Sequence, residues 1–230
     1  VEGLSILTIC AEQGDVETMK LLVEAGADIN ARQKNIELAS GYNSPLVASL
    51  KGGNVGHFDY LIECGADVDP FQDKESGWTP LVQAAHHVNN AAIKTLLERG
   101  ADVNIANADS ANAFKTVCHH TTAAARKCMR TLIKAGADTS RADNEGYAGI
   151  HNVAASQSSG NFLTLKLLVE EGQVDVDLPL RPAVGADTPP KKALVYGNSE
   201  SADYLLAQGA SASSSNKFGT SIFRHIFDGA

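Results

Sequence analysis

The chain of 230 residues has only four cysteines, Cys10, Cys64, Cys118 and Cys128, with no CxxC pair among them. That is too sparse for a disulfide framework and fits thiols kept reduced, so the cytosol or nucleus is the expected location. Long apolar runs are missing: none approaches the roughly 18 residues a membrane span requires, and residues 1–30 lack the basic start and apolar stretch of a signal peptide. Basic residues are outnumbered, 19 Lys and Arg against 27 Asp and Glu, for a net charge of -8, which argues against a surface that wraps nucleic acid. Catalytic signatures are also absent. There is no Gly-x-Ser-x-Gly elbow, phosphate-binding loop, dinucleotide fingerprint or His-Glu-x-x-His pair, so neither an enzyme nor a bound cofactor is expected. With 43% hydrophobic and 20% charged residues, the chain has the composition of a folded protein. It begins at Val1 and not at methionine, so a processed or trimmed piece of a longer chain is one expectation.

What the sequence does have is repetition. Leu-Leu-Val-Glu-Ala-Gly-Ala-Asp-Ile-Asn at 21–30 returns as Leu-Ile-Glu-Cys-Gly-Ala-Asp-Val-Asp at 61–69, Leu-Leu-Glu-Arg-Gly-Ala-Asp-Val-Asn at 96–104 and Leu-Ile-Lys-Ala-Gly-Ala-Asp-Thr-Ser at 132–140. Looser copies follow at 167–177 and 205–213. The closing glycines, Gly26, Gly65, Gly100, Gly136, Gly172 and Gly209, are 39, 35, 36, 36 and 37 residues apart. Paired apolar residues followed by Gly suit a last helical turn whose closing residue adopts a left-handed conformation, which costs glycine nothing. Upstream of these phrases stand Ser44-Pro45, Thr79-Pro80 and Thr188-Pro189, each a helix start with a capping hydroxyl and Pro in the first turn. The unit is therefore two short helices.

These phrases resemble ankyrin repeats, and Trp78 to Ala85 is close to that family's Thr-Pro-Leu-His-x-Ala-Ala motif, with Val82 in place of its His and His151 occupying that place in another copy. The resemblance implies an all-α solenoid of helix-turn-helix units with hairpin-like fingers. It covers nearly the whole chain as a single domain: units at about 1–30, 31–69, 70–104, 105–140, 141–177 and 178–213, and a partial cap at 214–230. Extra residues at 30–44 and 68–79 lengthen the second and third fingers, 119–126 and 156–162 widen the turns of the fourth and fifth units, and the sixth has a Pro-rich approach at 178–190. Such insertions fall in loops, often on a binding side.

The resemblance implies noncatalytic recognition of a protein or peptide through the concave groove and fingers. Two alternatives stand beside it: the recognition or autoinhibitory arm of a larger enzyme, immune receptor or channel, and an architectural or self-associating scaffold. A monomer is expected. Aligning the third and fourth units puts His86-His87 and His119-His120 at the same two positions, which in the family end the first helix beside the groove. Four rings there would suit an acidic or aromatic partner segment, or a response to pH, since imidazole titrates near neutrality; a metal is not expected, because tetrahedral zinc needs ligands converging at about 2.0–2.3 Å. In the fingers, Arg32, Lys34 and Tyr42 of the second and Phe71 and Trp78 of the third are candidate contacts, Trp and Arg being frequent interface hot spots. Arg126, Arg130 and Lys134 recur every four residues, with Lys115 and Lys127 adding to the fourth unit's positive charge, a stripe that suits an anionic surface or simply solvent. Asn30 and Asn104 resemble positions that asparaginyl hydroxylation modifies in this family.

Overall fold

A computed structural model describes residues 5–34, 42–70, 78–107, 109–180 and 187–211. Phe71 and the cap at 214–230 lie outside them. The described residues form twelve helices, α1 (Ile6–Gln13), α2 (Val16–Glu24), α3 (Pro45–Lys51), α4 (Val55–Glu63), α5 (Pro80–His86), α6 (Asn90–Glu98), α7 (Ala113–Val117), α8 (Ala123–Lys134), α9 (Gly149–Ala155), α10 (Asn161–Glu170), α11 (Pro189–Val195) and α12 (Ser199–Ala207). Between α2 and α3 a short hairpin pairs β1 (Gln33–Lys34) with β2 (Tyr42–Asn43), antiparallel, in the second finger. The chain forms two compact units, Val1–Ala113 and Phe114–Ala230.

Local chemistry explains where several helices start. The Ser5, Ser44 and Thr79 hydroxyls accept the N–H groups of Thr8, Val47 and Val82 at 3.1, 3.3 and 3.2 Å. At Thr188 the expected side-chain cap bond is not made. In the fifth unit, which has neither Ser nor Thr there, the ring of His151 reaches back and its Nδ1 accepts the Ala148 N–H at 3.2 Å. The second helix of two pairs is tied backward by its own N-cap: Asn54 donates to the Glu12 carbonyl at 2.9 Å, and Asn198 to the Ala154 and Ser156 carbonyls at 2.7 and 2.9 Å.

Five of the six closing glycines have the expected positive φ, between 82° and 97°. Gly172 does not; Gln173 carries φ 50° in its place. The cause is a turn one residue longer. After α2 the Leu22 carbonyl is reached by the Ala27 N–H, five residues on, whereas after α10 the Leu168 carbonyl is reached by the Val174 N–H, six residues on. Glycine is still needed at 172, because a Cβ there would lie 2.6 Å from the Leu168 carbonyl oxygen.

Helices of five to twelve residues are marginal alone, so packing holds them. Within the first unit α1 packs on α3, α3 on α5 and α2 on α4; within the second, α9 packs on α11 and α10 on α12. The buried faces carry Leu7, Ala11, Met19, Leu46, Phe58, Leu61, Leu81, Ile93 and Leu96 in the first unit, and Phe114, Met129, Leu132, Ile150, Leu165, Leu168 and Leu205 in the second. Each large side chain contributes about 1.5–3 kcal/mol by leaving water. Backbone ties repeat with the same period: the Asn30 Oδ1 accepts the Asp67 N–H at 2.8 Å, Asp69 accepts from Asp102 at 2.7 Å, and Asp177 accepts from Ser211 at 2.8 Å. Asn30 therefore has a structural task linking consecutive units. One buried group fits poorly: both ring nitrogens of His57 are buried without a hydrogen-bond partner among the described residues, a cost of about 1–3 kcal/mol.

Candidate recognition surface

The third residue of each first helix fixes what that helix can show to a ligand. Thr8, Val47, Val82, Lys115, His151 and Lys191 share this place, and all are buried. In the first unit it takes Thr or Val. In the second it takes groups that must be satisfied, and each is. Lys115 Nζ, 2% exposed, lies 3.1 Å from Asp143 Oδ2, whose other oxygen accepts the Glu145 and Tyr147 N–H groups and so shapes the fifth finger. Lys191, 3% exposed, lies 3.0 Å from Asp187. His151 Nε2 donates to the Leu178 carbonyl at 2.8 Å. Burial outweighs these bonds in the His151 titration and pushes its pKa down to about 4, so the ring is neutral near pH 7. The position thus belongs to the scaffold, and the candidate contacts are the residues one turn further on.

In the first unit those residues are His86 and His87. Both are exposed at the end of α5, and their rings meet edge to face with centroids 5.2 Å apart. Trp78, half-buried at the finger leading into α5, meets His86 in the same manner at 4.6 Å. Edge-to-face pairs contribute about 0.5–1.5 kcal/mol beyond burial. The buried Gln83 amide nitrogen lies 2.9 Å from His87 Nε2. Trp78, His86 and His87 therefore form one ordered aromatic patch. Arg32 is exposed on the second finger, and Lys34 and Tyr42 face each other in the register of the hairpin.

In the second unit His119 is exposed and His120 half-buried. The Lys115 ammonium has only protons to give, so His119 Nε2, 3.3 Å away, accepts from it. The Asn152 side-chain nitrogen also lies 3.3 Å from the His119 ring. Two cavities open beside this ring. One, of about 310 Å³, is lined by His119, Tyr147, Asn152, Lys192 and Tyr196 among others. The other, of about 460 Å³, is lined by His119, His120, Arg126, Ser158 and Ser159 among others.

The basic stripe of the fourth unit is largely committed to its neighbours. Arg126 Nη1 donates to the Thr121 carbonyl at 2.7 Å, and Arg130 grips Glu171 with Nε 2.8 Å and Nη2 2.8 Å from Oε1. Lys115 is buried and paired, which removes it from that exposed face. Cys10, Cys118 and Cys128 are buried free thiols and Cys64 an exposed one. Burial pushes Cys118 up to about 12 and Cys128 to about 11, so both remain protonated. Among the described residues, no group of three or more His, Cys, Asp or Glu is placed to hold a metal ion, and no helix is long and apolar enough to cross a membrane.

Sequence reasoning missed Tyr147, Lys192 and Tyr196. Only the four-residue spacing of Lys192 and Tyr196, which puts them on one helix face, pointed to a pair.

A family model for ankyrin repeats, in three copies, matches residues 7–107. Such repeats recur in curated proteins: the chain is 35% identical over 96 residues to mouse Ankyrin repeat and SAM domain-containing protein 6, and 38% identical over 100 residues to Ankyrin repeat protein nuc-2 of Neurospora crassa. These alignments cover 42% and 43% of this chain, which spans only 11% and 9% of those two proteins. Among solved structures, an ankyrin repeat domain from Acinetobacter baumannii superposes with a TM-score of 0.73 at 22% identity, over 89% of this chain and 98% of that one. Residues 7–107 match ankyrin repeats, and the chain has the fold of an ankyrin repeat domain. Ankyrin repeats are generally noncatalytic protein-protein interaction modules.

Proposed function

We propose that the chain is a noncatalytic recognition module that holds a protein or peptide partner at the ends of its first helices and at its fingers. The observation that carries this reading is the patch of Trp78, His86 and His87. Three rings are packed in fixed orientations yet the two histidines stay exposed, so a partner meets a surface whose side-chain entropy is already spent. His119 and His120 offer the corresponding groups in the second unit. The test is affinity capture from the source cells, with partners identified by mass spectrometry, comparing the native chain with one carrying Ala at His86, His87, His119 and His120. Loss of a partner from the variant supports the reading; the same partners on both chains would move recognition elsewhere, and none on either would remove it.

A second reading, the recognition arm of a longer protein, draws support from the small share of its relatives that the chain spans and from their names, which join ankyrin repeats to a SAM domain in the mouse protein. In that arrangement the chain selects the target and another region acts on it.

A further inference from the structure

We propose that the cavity of the second unit formed by His119, Tyr147, Asn152, Lys192 and Tyr196 takes an acidic peptide segment of a protein partner, with a carboxylate seated on Lys192 Nζ. This inference rests on the recognition reading and gives it a ligand chemistry.

The sign of the cavity is the first argument. No carboxylate lines it among the described residues. Asp143 and Asp187, in the fingers leading into α9 and α11, are held by the buried Lys115 and Lys191 at 3.1 and 3.0 Å, and the exposed Glu145 of the first of these fingers is not among the residues lining the cavity. Lys192 is different. Its ammonium lies 5.1 Å from the centre of the Tyr147 ring, a contact that orients the cation without neutralising it. Lys192 and Lys115 both act to keep the neighbouring His151 unprotonated, as a positive local potential requires. The chain as a whole is at -8, but residues 1–113 carry seven basic and sixteen acidic side chains while residues 114–230 carry twelve and eleven. Charges beyond about 8–10 Å are largely screened at physiological salt, so the local cation decides the sign a ligand meets.

Shape and polarity make the second argument. At about 310 Å³ the cavity is at the small end of the roughly 300–1,000 Å³ of ligand sites, room for a side chain or two of a bound segment. Val195 and Tyr196, 50% and 45% exposed, follow Lys192 by three and four residues and so share its helix face. An apolar side chain next to the carboxylate would cover them. The Asn152 amide, held to His119 only at 3.3 Å, is available to meet a peptide carbonyl. A cation, an exposed aromatic and an amide at one cavity match an acidic segment interrupted by apolar residues, and mismatch a basic one.

The experiment is fluorescence anisotropy on the whole chain with a labelled peptide of three Glu-Ala-Glu-Leu units, beside counterparts carrying Lys or Gln for Glu, with light scattering on the same samples. The Glu peptide is expected to bind, more weakly as salt rises, and the other two to bind at least about tenfold more weakly. Lys192→Gln should cost about tenfold and Lys192→Arg little, both with unchanged circular dichroism and melting temperature. Equal binding of all three peptides, no binding of the Glu peptide up to about millimolar concentration, or indifference to Lys192→Gln would overturn the proposal. So would a concentration-dependent dimer abolished by Lys192→Gln, which would assign the cavity to the acidic first unit of a second copy. If the peptide fails while affinity capture still returns a partner, only this inference falls; if capture returns none, the recognition reading falls with it.

Discussion

At the scale of single residues, the molecule separates groups that hold the scaffold from groups left exposed at the candidate site, and two scaffold groups make quantitative predictions. His151 is buried and neutral, with a pKa of about 4 against about 6.5 in an unfolded chain. A folded pKa below the unfolded one means that the unfolded state binds the extra proton first. The stability that His151 lends is therefore complete above pH 6.5 and is lost as pH falls from 6.5 to 4, by about 3 kcal/mol in all. Urea unfolding across that range should show the loss, and His151→Gln should flatten it. Asp69 shows the reverse sign. Burial raises its carboxyl, against the Asp102 N–H that favours the charge, and one of its oxygens is buried without a hydrogen-bond partner among the described residues. The equivalent place in the preceding copy holds Asn30, which accepts the same kind of N–H without a charge. Asp69→Asn should therefore stabilise the chain by about 1 kcal/mol, raising the melting temperature by about 2–4 °C at pH 7 and by less near pH 4.

At the scale of elements, Asn198 shows how short helices are made to hold. Its amide bridges two carbonyls at the end of the preceding α9 segment, one of them from Ala154, which is fully buried. Asn198→Ala should cost about 1–3 kcal/mol and show its effect first as faster hydrogen exchange in α12, whereas a change at exposed Asp203 should do neither. Helix boundaries were the most legible part of the sequence, because caps and closing glycines act within three or four residues of where they stand. Gly172 and Thr188 depart from expectation for local reasons, a one-residue longer turn and a hydroxyl not used as a cap. The site was legible in part. The repeat register placed the two histidine pairs at helix ends, but it could not show that Trp78 meets His86, since that depends on how a finger folds onto the helix it precedes. Nor could it show that Lys115 is buried. Lysine reads as a solvent residue until its partner is known, and Asp143 lies 28 residues further along the chain.

At the scale of the whole molecule, repetition puts the same few positions on the surface again and again, and the residues at those positions differ between the two units. The first unit offers an aromatic patch in an acidic setting, the second a cationic cavity in a nearly neutral one. The one measurement that tests the recognition account most directly is amide hydrogen exchange of the chain, alone and saturated with a captured partner. The account predicts added protection at the ends of α5 and α7 and in the finger bearing Trp78, with α2, α4 and α6 unchanged. Protection confined to α2, α4 and α6 would contradict it.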